Sequence, residues 1–101
     1  MENIKDVIKK QIANNKVVLY MKGDRTLPYC GFSAKAVKLL TLCKVEFMTV
    51  NVLEDEAIRE GVKEFSNWPT IPQLFINGEF IGGSDIMSEL FESGELQKLL
   101  A

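Results

Sequence analysis

The sequence contains no histidine. That absence removes Cys–His nucleophile pairs, Ser-His-Asp triads and imidazole metal sites, so any reactive group here must be activated by a helix terminus, a lysine or an arginine. Cysteine is scarce, with 2 in 101 residues. Such usage points to a reducing compartment and away from a disulfide-stapled scaffold. Neither sign of charge dominates: 12 Lys and Arg stand against 14 Asp and Glu, a net charge of -2. The concentrated basic surface that nucleic-acid binding uses is missing. No apolar run approaches a membrane span. The opening Met1-Glu2-Asn3-Ile4-Lys5-Asp6 alternates charged and apolar residues, unlike a secretory signal or an Arg-rich transit peptide. The expected setting is a bacterial-type cytoplasm, with an organelle matrix as the alternative, and neither membrane nor nucleic acid as a partner.

What is present is ordinary globular chemistry, 47% hydrophobic and 26% charged, in a length that suits a single domain over residues 1–101. Ile4, Val7, Ile8 and Ile12 recur at helical spacing and predict a helix over about 3–14. Val17-Val18-Leu19-Tyr20-Met21 reads as a buried strand, and Lys22 to Tyr29 as a polar loop. Ala34, Ala36, Val37, Leu39, Leu40 and Cys43 predict a helix from Gly31 to about Cys43. Val45 to Val52 reads as a second strand. Leu53-Glu54-Asp55-Glu56 opens a third helix, with Ile58, Val62 and Phe65 on one stripe and acids in the first turn. Ser66-Asn67-Trp68-Pro69 closes it. Asn77-Gly78 between Gln73–Ile76 and Glu79–Ile81 predicts a hairpin whose two turn residues both take positive φ. Ser84 or Asp85 then caps a helix carrying Ile86, Leu90 and Phe91, Gly94 breaks it, and Glu95 to Leu100 forms a last short helix. The order α-β-α-β-α-β-β-α-α implies an α/β fold: a parallel pair from the first β-α-β unit, an antiparallel hairpin, and helices on both faces of a small mixed sheet.

Cys30 falls where loop gives way to helix. Free N–H groups and the dipole at a helix start stabilise a thiolate, and Lys22 adds positive charge nearby. The plain alternative is a small buried residue. In Cys30-Gly31-Phe32-Ser33 a serine occupies the place of the resolving thiol of a Cys-x-x-Cys pair, so no local disulfide can close. Cys43 lies about 20 Å further along the helix at 1.5 Å per residue, beyond the about 7 Å between Cα atoms that a disulfide spans. It reads as helix-end packing, with pairing to a second chain left open. Pro72 stands just before a strand, where a cis bond would expose the Ile71 backbone to an extended ligand, or the prolines merely punctuate a loop. Arg59 and Lys63, four apart, share one helix face, either in a site or in solvent. Gly82-Gly83-Ser84-Asp85 could hold a carboxylate on backbone N–H groups, or be only a cap.

Taken in order, Lys22-Gly23, Cys30-Gly31-Phe32-Ser33, Asn67-Trp68-Pro69-Thr70-Ile71-Pro72-Gln73, Asn77-Gly78-Glu79-Phe80 and Gly82-Gly83-Ser84-Asp85-Ile86 closely resemble the CGFS-type monothiol glutaredoxins across nearly the whole chain. The resemblance implies a thioredoxin-like three-layer fold with a four-stranded mixed sheet, and a glutathione groove beside the catalytic Cys30. It implies that Lys22 pairs with the glycine carboxylate of glutathione and lowers the thiol pKa, and that Arg59 and Lys63 reach the same end. Ile71, before a cis-Pro72, pairs its backbone with the cysteinyl part. Gly83, Ser84 and Asp85 hold the γ-glutamyl end, with Asp85 facing its ammonium. The resemblance further implies a [2Fe–2S] cluster shared by a homodimer, with Cys30 as this chain's ligand. A cluster takes four thiolates, so two chains and two glutathiones complete the set, and the apo form is a monomer. Acceptor proteins and a BolA-like protein are the implied partners. Many family members carry cysteine where this chain has Ser84, so a second-cysteine disulfide there is excluded. Three functions fit: an iron–sulfur carrier or store, which the resemblance favours, a glutathione-dependent oxidoreductase that removes glutathione from mixed disulfides, and, most plainly, a thioredoxin-fold binding module with an inert Cys30. The polar loop from Gly23 to Tyr29 resembles the class that is weak in the second role.

Overall fold

The computed structural model describes residues 3–101, which leaves Met1 and Glu2 of the N-terminal reading outside it. Among these residues the elements run α1 (Ile4–Asn14), β1 (Val17–Met21), α2 (Gly31–Leu42), β2 (Met48–Asn51), α3 (Glu56–Ser66), β3 (Gln73–Ile76), β4 (Glu79–Gly82), α4 (Ser84–Ser93) and α5 (Glu95–Leu100). The strands form one mixed sheet in the order β2-β1-β3-β4. β1 pairs parallel with β2 and antiparallel with β3, and β3 pairs antiparallel with β4.

Strand β1 explains the layering. Successive strand side chains point to opposite faces, so Val17, Leu19 and Met21 enter one core and Val18 and Tyr20 the other, all buried. That is why the run is apolar throughout instead of alternating. The first core lies against α2, α4 and α5 and gathers Leu40, Leu74, Met87 and Leu96. The second lies against α1 and α3 and gathers Ile8, Ile58, Val62 and Phe75. Each such side chain contributes about 2 kcal/mol by leaving water. In the second core the Tyr20 and Phe75 rings meet edge to face at 5.5 Å. The Tyr20 hydroxyl donates to Gln11 Oε1 at 2.7 Å, and burial pushes its pKa above the usual phenol value.

The structure moves several boundaries. The second strand is Met48–Asn51, not Val45 to Val52, because the ladder starts only where Met48 comes alongside Val18. Lys44, at φ 57, turns the chain out of α2. Phe47 is buried ahead of the strand, so the apolar signal registers core contact there and not pairing. Helix α3 starts at Glu56: Asp55 is its N-cap, accepting from Ala57 N at 3.0 Å and Ile58 N at 3.3 Å. The preceding turn is shaped by Asn51 Oδ1, which accepts from Leu53 N at 3.0 Å. Ala34 is exposed, and Met87, absent from the expected stripe, is the buried residue of α4 beside Ser84. Gly83, not Ser84 or Asp85, is the cap residue of α4. The hairpin turn is as expected, with Asn77 at φ 51 and Gly78 at φ 80.

Candidate functional site

Lys22 follows β1 directly, and the loop after it returns the chain to its side. Tyr29 N–H donates to the Lys22 carbonyl at 2.9 Å, and Gly23 bridges to Pro28. Asp24 Oδ1 accepts from Thr26 N and Leu27 N, both at 2.8 Å, which closes an Asx-type turn. Gly23 sits at φ +86, and a Cβ there would come within 2.4 Å of the Leu27 carbonyl, so only glycine fits. Two outside anchors hold the loop. Asn51 Oδ1 accepts from Gly23 N at 3.0 Å. The Arg25 guanidinium donates to the Phe47 carbonyl and lies 4.3 Å from the centre of the Phe47 ring. Cys30 is thereby delivered to the start of α2 with a fixed approach.

Cys30 is the N-cap of α2, half-buried, with its sulfur in the place of a capping oxygen. Ser33 N–H donates to Sγ at 3.3 Å. The thiol in turn points at Ser33 Oγ, 3.4 Å away. Ser33 is fully buried, and its Oγ already accepts from Lys22 N–H at 3.1 Å. Its own proton is therefore free to turn towards sulfur once Cys30 ionises. Partial burial pushes the Cys30 thiol up. The Ser33 hydroxyl, the Ser33 N–H, the Phe32 N–H and the Lys22 charge act against it, and the net pKa falls below the ordinary thiol value. Ser33, which the sequence shows first as a missing thiol, is thus the strongest support of the thiolate. The signal was its position three residues after the cap, where capping-box partners sit.

Beside Cys30 runs a groove of about 440 Å³. Its wall brings together Lys22, Arg59, Lys63, Ile71, Gly83, Ser84 and Asp85, residues from four separate stretches of the chain. Cys30 is not in that wall; Lys22 and Phe32, which flank it, are. Neither Lys22 nor Arg59 has a carboxylate partner among the described residues. Arg59 Nε is buried without an acceptor, a costly arrangement unless a ligand supplies one. Lys63 pairs with Glu60 at 3.6 Å along α3. The Ile71–Pro72 bond is cis, and Ile71 lies outside the β3 ladder, so β1–β3 pairing does not consume its backbone groups. In the same wall, α4 differs from α1, α2 and α3, each of which has a side-chain N-cap: Gly83 offers none, which leaves the first N–H groups of α4 for something else. Trp68, Pro69 and Thr70, part of the motif that carries the resemblance but given no role by it, also line the groove. Gln73, fully buried, fixes their backbone by donating from Nε2 to the Trp68 and Thr70 carbonyls at 3.0 and 3.1 Å.

Chemically, the arrangement offers one polarised thiol beside a trough whose wall carries the cations of Lys22, Arg59 and Lys63, the free N–H groups at the start of α4 and the Asp85 carboxylate. No group of three or more His, Cys, Asp or Glu that could hold a metal ion occurs among the described residues. No described helix is long and apolar enough to cross a membrane.

The family model for glutaredoxin matches residues 17–81. An uncharacterized monothiol glutaredoxin of Synechocystis is 53% identical over 93 residues, which cover 92% of this chain and 87% of that protein. The solution structure of reduced poplar apo GrxS14 superposes with a TM-score of 0.84 at 49% identity, covering 94% of this chain and 87% of that one. The crystal structure of a buckwheat glutaredoxin–glutathione complex gives a TM-score of 0.86 over 96% of this chain and 86% of that one; at 24% identity it speaks to the fold. A family match over most of the chain, with a relative above half identity across nine-tenths of it, makes this protein a member of the glutaredoxin family, among the monothiol glutaredoxins.

Proposed function

We propose that the groove binds glutathione, and that Cys30 and the glutathione thiol together ligate a [2Fe–2S] cluster that bridges two copies of the chain, which then carries or stores the cluster for acceptor proteins. The observation that carries the reading is the pairing of one ionisable sulfur with a groove whose Lys22 and Arg59 have no carboxylate partner among the described residues. Glutathione has two carboxylates and one ammonium. Lys22, Arg59 and Lys63 would take the glycine carboxylate, the Ile71 backbone the cysteinyl unit, and the Gly83–Ser84–Asp85 turn the γ-glutamyl end, with Asp85 against the ammonium. The bound tripeptide supplies a second thiolate next to Cys30.

The donor set fits a shared cluster and not one held by a single chain. One chain contributes Cys30 alone, since Cys43 sits at the far end of α2 with a pKa raised by burial. Four thiolates then require two chains and two glutathiones, so the loaded form is a homodimer and the empty form a monomer. The residues of the chain hold the sulfur ionised and orient the tripeptide; the transferred cluster is cargo. A BolA-like protein and iron–sulfur acceptors are the partners this role implies, in a compartment that keeps glutathione reduced.

The lowered thiol pKa also supports a second reading, removal of glutathione from protein mixed disulfides. The Cys30 thiolate attacks the glutathione sulfur, the protein thiolate leaves and takes a proton, and a second glutathione displaces Cys30 to give oxidised glutathione. Anaerobic reconstitution with iron, sulfide and glutathione separates the two. The carrier reading expects a coloured dimer that falls to colourless monomer when glutathione is withdrawn. Fast turnover of a glutathionylated substrate with no cluster formed contradicts it and selects the second reading.

A further inference from the structure

Gln73 opens β3, directly after Pro72, and no part of it reaches solvent. Its cross-strand partner is Tyr20, a member of the second core. An apolar side chain is the ordinary occupant of such a place. The two Nε2 hydrogens of Gln73 go instead to the carbonyls of Trp68 and Thr70, at 3.0 and 3.1 Å. Its Oε1 is buried and meets no donor among the described residues. Both acceptors belong to the exposed stretch 68–70, where water can take the place of the amide. A buried carboxamide is thus kept, at a cost in desolvation, for two bonds that the fold does not need. The stretch it holds is groove wall: residues 68–72 all line the groove. That stretch has few other means of keeping its shape. It lies between α3 and β3 and forms no helix or strand. Pro69 and Pro72 have no N–H to donate. At its start the Trp68 N–H donates to the Lys63 carbonyl at 3.1 Å, and from beneath it is pinned by Gln73.

We propose that Gln73 is a positioning residue: its carboxamide presets the 68–72 wall of the groove in the shape the ligand meets, so that binding does not have to order it. The inference rests on the reading of the groove as a glutathione site, and it adds a residue that is not itself part of the groove wall. Gln73 acts through the Trp68 and Thr70 carbonyls, and so fixes the backbone that leads into Ile71. A ligand that finds its wall already ordered is spared the entropy of immobilising it, and loss of the preset is expected to weaken binding about tenfold. The effect on stability runs the other way from that of an ordinary core residue. An apolar side chain of similar volume removes the orphaned Oε1 and releases two carbonyls to water, so the fold loses nothing by the exchange.

The test is Gln73→Met in the full chain under reducing conditions, with three readouts. Glutathione affinity is measured by NMR titration and stability by the urea midpoint. The anisotropy of tryptophan fluorescence reports the wall itself, because Trp68 is the only tryptophan in the chain. Affinity should weaken about tenfold and the anisotropy should fall, while the urea midpoint is no lower than in the wild type. The alkylation midpoint of Cys30 should stay where it is, since the groups that lower that thiol are Ser33, Phe32 and Lys22. Wild-type affinity in the folded variant, or unchanged anisotropy, overturns the proposal. An affinity loss matched by a shift of the Cys30 midpoint overturns it as well, because the damage is then general. Gln73→Leu should give the same pattern, which assigns the effect to the missing amide and not to the shape of Met. Failure to fold, or a lower urea midpoint, in both variants gives Gln73 to the fold and overturns the proposal. A wild-type chain that does not bind glutathione overturns the underlying reading of the groove, and this inference with it, before any variant is made.

Discussion

Cys30 and Cys43 stand at the two ends of α2, one as N-cap and one as C-cap, and both are half-buried. Their thiols nonetheless move in opposite directions, Cys30 down and Cys43 up. Burial pushes both up, so burial does not separate them. The difference lies in which end of the helix each occupies. At the N-terminus unpaired N–H groups face the sulfur; at the C-terminus the unpaired groups are carbonyls, which offer an anion nothing. Cys43 instead packs against the first core. The donors that surround Cys30 lower its thiol pKa, and Cys43, thirteen residues on, lacks them and keeps only the upward push of burial.

Exchanging the sulfurs for oxygen should break the comparison most completely. Cys30→Ser is expected to abolish both alkylation at the site and formation of the coloured dimer on reconstitution, while Cys43→Ser leaves both within about twofold of wild type, since its removal touches no donor. Mass spectrometry of the alkylated chains and the visible spectrum of the reconstituted protein read the two effects. A normal cluster in Cys30→Ser contradicts the ligand assignment, and its loss in Cys43→Ser shows that the C-terminal end of α2 matters to the site. A subtler pair then separates charge from hydrogen bonding. Ser33→Ala removes the foremost lowering contact and should slow alkylation of Cys30 near pH 6 by about fivefold, the worth of about 1 kcal/mol of hydrogen bond. Lys22→Ala should shift the thiol less, because its charge is half-exposed and screened, yet weaken glutathione binding more. The reverse ranking in titration by iodoacetamide would make Lys22, not Ser33, the main support of the thiolate.

How far the sequence carried this picture depends on where each contact was closed. Contacts within a turn or two were legible: the stripe Ile58, Val62 and Phe65 of α3, the Asn77-Gly78 turn, and the arrival of Cys30 at a helix start. The cis bond before Pro72 and the gathering of Lys22, Arg59, Ile71 and Asp85 were anticipated through family resemblance, since nothing local joins them. Boundaries failed where the deciding partner was distant. Phe47 looks like strand because it is apolar, but the ladder begins one residue later, where Met48 meets Val18. Gly83 supersedes Ser84 as the cap because Ser84 is already the first helical residue while Gly83 is still extended. Trp68 and Thr70 were invisible as groove wall because Gln73, folded beneath them, sets their position. Ser33 was read for the sulfur it lacks, and only its distance to Cys30 shows what its hydroxyl does.

The most direct measurement is a pH profile of alkylation that follows both cysteines in one sample, using limiting iodoacetamide and peptide mass spectrometry. A lowered pKa means that thiolate persists to lower pH, and a raised one that it appears only at higher pH. The midpoint for Cys30 should therefore fall clearly below the ordinary thiol value of about 8.5 and that for Cys43 above it, with the gap narrowing in Ser33→Ala. Midpoints that coincide, or a Cys30 midpoint above that of Cys43, would contradict the claim that the donors at the start of α2 hold this sulfur ionised.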